Sequence, residues 1–175
     1  MEFVDLIQAR RSVRGYSAGV PHGDLVTLLT RAQQAPSWKN LQASRCYVVE
    51  GDEALSALRS RGLPEFNQNS SAGATLVVTT YVRDVVGFTQ GKPDNEVGNG
   101  WGAYDLGLHD AYLTLAAADM GYDTLIMGIR DAEAIRRLLH IPESEAVMSV
   151  IAIGRRAKEP ANRPRKPLEE VTRFF

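Results

Sequence analysis

Ala74-Thr75-Leu76-Val77-Val78-Thr79-Thr80-Tyr81-Val82 is a continuous β-branched and apolar run, and such a run suits a strand in a sheet covered on both faces. A sheet of that kind needs layers on either side, and the flanking sequence supplies them. Upstream, residues 45–50 read as another strand and Asp52 to about Ser60 as a helix. Downstream, Tyr104 to Met120 is rich in Leu and Ala and stops at Gly121, which predicts a mostly buried helix with neighbours on several sides. Asp131 is placed to cap a helix running through His140, and Ala146 to Gly154 reads as a core strand.

Toward the N-terminus, Phe3, Leu6, Ile7 and Arg10 follow a helical period, predicting a short helix over residues 3–11. Asp24 to Ala35 repeats the pattern through Leu25, Leu28, Leu29 and Ala32 and breaks at Pro36, leaving Pro36 to Gln42 as a loop. Residues 83–100, rich in Gly, Asp, Asn and Pro, read as an ordered insertion or a cover, with a lid as one form of it. Residues 155–175 form a basic, proline-bearing tail too polar to build a core alone. The mixture of elements predicts an α+β class and one domain spanning 1–175.

With 175 residues, 44% apolar and 23% charged, the chain has the balance of a folded globular protein. Its 20 basic and 21 acidic side chains leave a net charge of −1, so no global field draws nucleic acid or an anionic membrane, and any anion site must be local. Acidic Glu2 and Asp5 are wrong for a signal peptide, and no apolar run reaches spanning length, so the expected location is cytoplasmic. Cys46 is the only cysteine, which excludes an intrachain disulfide and makes a small buried apolar role the expectation. His22, His109 and His140 have no carboxylate or cysteine at ligand spacing, so no metal site is expected.

Four segments carry candidate chemistry. In Arg10-Arg11-Ser12-Val13-Arg14, Arg10 and Arg14 project to the same side, and an extended backbone adds Ser12. Two guanidiniums and a hydroxyl match a phosphate monoester, although cations closing a helix also serve its dipole while staying solvated. Ala35-Pro36-Ser37-Trp38-Lys39-Asn40-Leu41-Gln42 places amides and hydroxyls on a proline-broken loop, where turn chemistry alone also accounts for them. Phe66-Asn67-Gln68-Asn69 precedes the central run, and in Gly121 to Asp131 a backbone N–H near Gly128 has room to approach a planar ligand.

In order and spacing these segments resemble the nitroreductase family of FMN-dependent oxidoreductases, and the resemblance covers nearly the whole chain. It runs from the R-R-S-x-R start through the A-P-S-x-x-N-x-Q loop, Phe66-Asn67, Asp105-Leu106-Gly107, Met120-Gly121 and Ile153-Gly154 to Arg165-Lys166-Pro167-Leu168-Glu169-Glu170-Val171. It implies a nitroreductase-like fold, with a central, mostly antiparallel sheet flanked by helices and a tail (155–175) extending onto the partner subunit of a homodimer. It further implies tightly bound FMN at that interface, with Arg10, Ser12 and Arg14 on its phosphate and ribityl chain and Arg11 bordering the flavin. Asn67 would meet the pyrimidine edge, a backbone N–H at Gly128 or Ile129 would face N5, and Arg163 and Arg165 would also reach the phosphate. Pro36, Ser37, Trp38 and Asn40 would approach the flavin held mainly by the other subunit.

The activity implied is ping-pong hydride transfer from NAD(P)H to a small electron-poor acceptor such as a nitroaromatic or quinone, with no catalytic side chain because the flavin carries the electrons. Two departures fall on the acceptor side: Gln42-Ala43-Ser44 replaces a common Gln-Pro-Trp, and the stretch between the central strand and the long helix is short. Two competing readings are a non-catalytic flavin- or nucleotide-binding sensor on the same fold, and an interaction protein using the basic tail from Arg155 to Lys166.

Overall fold

The longest strand, β7 (Glu145–Arg156), pairs antiparallel with β3 (Thr75–Val82), β6 (Asp123–Met127) and β1 (Tyr16–Ala18). The structure, a computed structural model, describes residues 2–161 and 163–175; residue 162 of the tail lies outside them. β2 (Ser44–Val49) pairs antiparallel with β3 and ends the strand order, so its outer edge has no strand beside it among the described residues. The expected antiparallel sheet flanked by helices is what the chain forms.

Successive side chains of a strand face opposite sides of a sheet, and here they divide between two cores. Leu76 and Val78 of β3, with Val150 and Ala152 of β7, lie in one cluster, beside residues of α3 (Asp52–Gly62) and α6 (Ala132–Leu139). Val77, with Ile151 and Ile153, lies in the other, with Leu25 and Leu28 of α2 (His22–Ala32) and Leu113 and Ala117 of α5 (Gly100–Asp119). All of β3 from Thr75 to Thr80 is buried, as a strand covered on both faces requires. Each fully buried Leu or Ile contributes about 1.5–3 kcal/mol of hydrophobic stabilisation.

Several boundaries differ from the sequence reading. α1 (Phe3–Ala9) ends early, and Arg10 takes φ −59° and ψ 123°, an extended backbone. Residues 65–70 form a helix, α4 (Glu65–Ser70), which carries Asn67. The region 83–100 is an ordered insertion: β4 (Phe88–Thr89) pairs with β5 (Lys92–Pro93), and the Asp84 and Asn99 side chains bond at 2.8 Å across its base. Asp131 caps α6 as expected, accepting the Ala134 N–H at 2.9 Å. A short helix, α7 (Leu168–Val171), interrupts the tail. No helix among the described residues is long and apolar enough to cross a membrane.

Candidate functional site

Arg10 to Arg14 leaves α1 and runs beside β6. The Val13 N–H donates to the Thr124 carbonyl at 3.0 Å, and Ser12 and Thr124 form a parallel bridge. Val13 is completely buried while Ser12 and Arg14 are exposed, so the extended backbone turns Arg10, Ser12 and Arg14 to the side opposite the core. They open on a cleft of about 460 Å³ with Arg11. The tail brings Lys158, Arg163 and Arg165 to the same cleft, against a single carboxylate among the described residues, Glu159. Glu159 is itself engaged by Arg156 at 2.6 Å.

Burial, followed by the charges of Arg165 and Arg11, lowers the Arg10 pKa from its ordinary value. Desolvation and like charge both disfavour a cation, and an anion in the cleft would offset both. Arg10, Arg11, Ser12, Arg14, Arg163 and Arg165 therefore converge. Sequence reasoning missed Lys158; its one signal was its place in the basic tail.

A second group forms where β6 ends. The Asn67 carboxamide donates to the Ile129 carbonyl at 2.8 Å, and Asn67 is buried. A Cβ built on Gly128 would meet nothing within 4 Å, so the backbone there faces open space. Asn67, Gly128 and Ile129 are brought together but do not line the cationic cleft. β6 separates the two groups, and Thr124 to Gly128 spans about 13 Å at strand rise.

Pro36, Ser37, Trp38 and Asn40 stand apart from both. Residues 38–40 form a tight turn with positive φ at Lys39 and Asn40. It is held by the Trp38 N–H donating to Asp105 at 2.8 Å and the Gln42 N–H donating to the Ser37 hydroxyl at 3.1 Å. Burial raises the Asp105 pKa, and the bond from Trp38 opposes that shift. The Trp38 ring centroid lies 4.9 Å from that of Trp101, and its indole N–H is buried with no hydrogen-bond partner among the described residues. Pro36 and Ser37 line a different cavity of about 400 Å³, shared with Cys46 and His109. Burial and then Asp110 push the Cys46 thiol up to about 12.

The sequence profile of the nitroreductase family matches residues 7–155. The chain belongs to the nitroreductase family. Among its curated relatives, a Thermus thermophilus protein named NADH dehydrogenase is 28% identical, over 93% of this chain and 90% of that one. Bacillus subtilis MhqN, whose name describes an NAD(P)H nitroreductase, is 26% identical over 99% of both chains. The nitroreductase family protein of Streptococcus pneumoniae TIGR4 superposes with a TM-score of 0.85 at 21% identity, over 99% of this chain and 100% of that one. A nitroreductase of Exiguobacterium sibiricum 255-15, solved in complex with FMN, superposes with a TM-score of 0.86 at 20% identity, over 100% and 98%. These likenesses establish the nitroreductase fold.

Proposed function

We propose that this nitroreductase-family chain is a homodimeric oxidoreductase that holds FMN tightly and passes electrons from NAD(P)H to an electron-poor small molecule such as a nitroaromatic or quinone. The observation that carries this reading is the cleft in which, among the described residues, six cations from the N-terminal run and the tail surround one already engaged carboxylate. Paired guanidinium donors and the Ser12 hydroxyl suit a phosphate monoester. The open backbone at Gly128, on the far side of β6, leaves room for a flat ring, and a structural relative was solved with FMN.

Within this reading, Arg10, Ser12, Arg14, Arg163 and Arg165 hold the phosphate, with Lys158 beside them. Arg11 borders the flavin, Asn67 meets its pyrimidine edge, and a backbone N–H at Gly128 or Ile129 faces N5. FMN, when bound, would supply two-electron hydride chemistry between NAD(P)H and the acceptor, in ping-pong order. The protein contributes positioning, fixed donors and exclusion of water.

Three features support a dimer. α5 is apolar nearly all round, yet Tyr104 and Tyr112 are 60% and 42% exposed. The outer edge of β2 is open among the described residues. The tail exposes Leu168, Val171, Phe174 and Phe175. A second copy covering α5 and receiving the tail would bury the α5 face and the tail's apolar side chains, and would bring Pro36, Ser37, Trp38 and Asn40 toward a flavin held by its partner. The test is an ultraviolet-visible spectrum of purified protein followed by NAD(P)H oxidation with menadione or a nitroaromatic. The proposal expects a bound flavin spectrum and turnover; flavin without turnover above free FMN would identify a sensor, and absence of flavin affinity would reject the reading.

A further inference from the structure

The turn after β6 is held by two side chains that its backbone does not require. The Arg130 guanidinium donates from Nη1 to the Gly128 carbonyl at 3.1 Å and from Nη2 to the Val147 carbonyl of β7 at 2.5 Å. The Asn67 carboxamide, arriving from α4, donates to the Ile129 carbonyl at 2.8 Å. Two consecutive carbonyls are thus occupied from two different elements.

In a planar trans peptide the C=O and the following N–H point in opposite directions. Drawing the Gly128 carbonyl toward Arg130 therefore turns the Ile129 N–H away from that guanidinium, and drawing the Ile129 carbonyl toward Asn67 does the same for the Arg130 N–H. Among the described residues no backbone or side-chain acceptor meets the Ile129 N–H. Ile129 is 66% exposed and the space above Gly128 is open. A donor so oriented and left unused is preorganised for something outside the chain.

We infer that Arg130 is a positioning residue, which with Asn67 locks the Gly128-Ile129-Arg130 turn so that the Ile129 N–H stands as a fixed donor to flavin N5. This rests on the FMN reading above. It gives Asn67 a second role, as an anchor of the turn through its amide nitrogen. The Nη2 bond to Val147 makes β7, the strand most embedded in the sheet, the reference against which the donor is held. Arg130 itself does not touch the flavin in this account.

A purely structural staple between β6 and β7 would affect stability and leave the chemistry of N5 unchanged. The discriminating probe is sulfite, whose sulfur lone pair adds reversibly at flavin N5, so that its affinity reports the donor there. In FMN-reconstituted protein, Arg130→Gln is expected to weaken sulfite binding about tenfold, the loss of one well-placed hydrogen bond, and to lower the two-electron midpoint potential. FMN affinity, set by the phosphate cleft, should change far less. Arg130→Lys, which keeps charge but not the two-carbonyl reach, should fall between. Asn67→Ala should shift both readouts in the same direction, and the double variant should be less than additive because both residues hold one turn.

If Arg130→Gln fails to fold, Arg130→Lys carries the test. Folded variants that bind FMN and keep wild-type sulfite affinity and potential would overturn the positioning role alone. A wild-type protein with no FMN affinity would remove the underlying reading and this inference together.

Discussion

Val13 and Thr124 are joined by a 3.0 Å bond from the Val13 N–H to the Thr124 carbonyl, and this bond converts a run of arginines into a surface. It holds the segment extended, buries Val13 and turns Arg10, Ser12 and Arg14 together toward the tail. Had α1 continued to residue 14, Ser12 would have rotated away from the two arginines, since residues two apart do not share a helix face.

The double substitution Arg10→Ala and Arg14→Ala should therefore give colourless protein. Charge-assisted hydrogen bonds contribute about 1.5–3 kcal/mol each, so loss of two predicts at least roughly a hundredfold weaker FMN binding, measurable by calorimetry. Wild-type affinity should fall with added salt, and the variant's much less. Stoichiometric FMN retained by the variant would refute the phosphate assignment.

The tail's approach to the cleft depends on Asp123. It accepts from Arg156 Nε at 2.9 Å and Nη2 at 2.6 Å, and these bonds raise the Arg156 pKa above its ordinary value. Arg156 also holds Glu159, on the cleft wall. Because the guanidinium is about a third exposed, Asp123→Asn should cost only about 1 kcal/mol, or roughly 2–4 °C in Tm for a chain of this size. FMN affinity should fall several-fold with it as Lys158, Arg163 and Arg165 lose their anchor. Unchanged affinity would separate the tail from phosphate binding.

Much of the fold is readable from periodicity, and the unread parts share a cause. β3, α5 and β7 announce themselves because their burial is large and apolar. β6 does not, since Asp123 and Thr124 are buried polar residues, the first bonded by Arg156 and the backbone of the second paired with the Ser12 segment, partners far away in sequence. α4 is too short and polar, and β1 has three residues. For the candidate site, a shared side for Arg10, Ser12 and Arg14 follows from spacing once the backbone is extended, but the arrival of Lys158 beside them depends on tertiary routing. Arg130 carried no signal, because a clamp on carbonyls leaves no pattern in sequence.

Cys46, expected to be buried, is only partly buried, and its thiol carries a testable consequence. Its thiol rises from an ordinary 9.0 to about 12 through burial and Asp110. At pH 8 it should react with a disulfide reagent only after unfolding, because the thiolate is the nucleophile. Above pH 9 the unfolded chain releases the thiol proton before the folded chain does, so the stabilising difference present below pH 9 is lost as pH rises toward 12. Urea midpoints at pH 8 and pH 10.5 should show a drop that Cys46→Ala makes smaller; an equal drop in both proteins would assign it to other groups.

Gly154 lets β1 lie against β7. A Cβ there would stand 2.3 Å from the Ala18 carbonyl oxygen, and backbone cannot yield as a side-chain tip can. Gly154→Ala should destabilise the chain by about 1–3 kcal/mol, the usual cost of overpacking, seen as a lower urea midpoint with an unchanged m-value. A midpoint equal to wild type would show that β1 moves freely from β7.

The exposed face of α5 decides whether the flavin site is complete in one chain. Tyr104, Ala111 and, half-buried, Leu108 and Leu115 recur at helical spacing along it. Ala111 is exposed, so Ala111→Glu should leave the monomer's Tm nearly unaltered while placing like charges across any two-fold interface. The expected result is a shift from dimer to monomer in sedimentation, accompanied by release of FMN, because the Pro36 to Asn40 segment is held away from its own chain's cationic cleft. Dilution of the unaltered protein should reproduce both effects. A monomer that keeps FMN as tightly as the dimer would place the whole flavin site within one subunit and end the interface account.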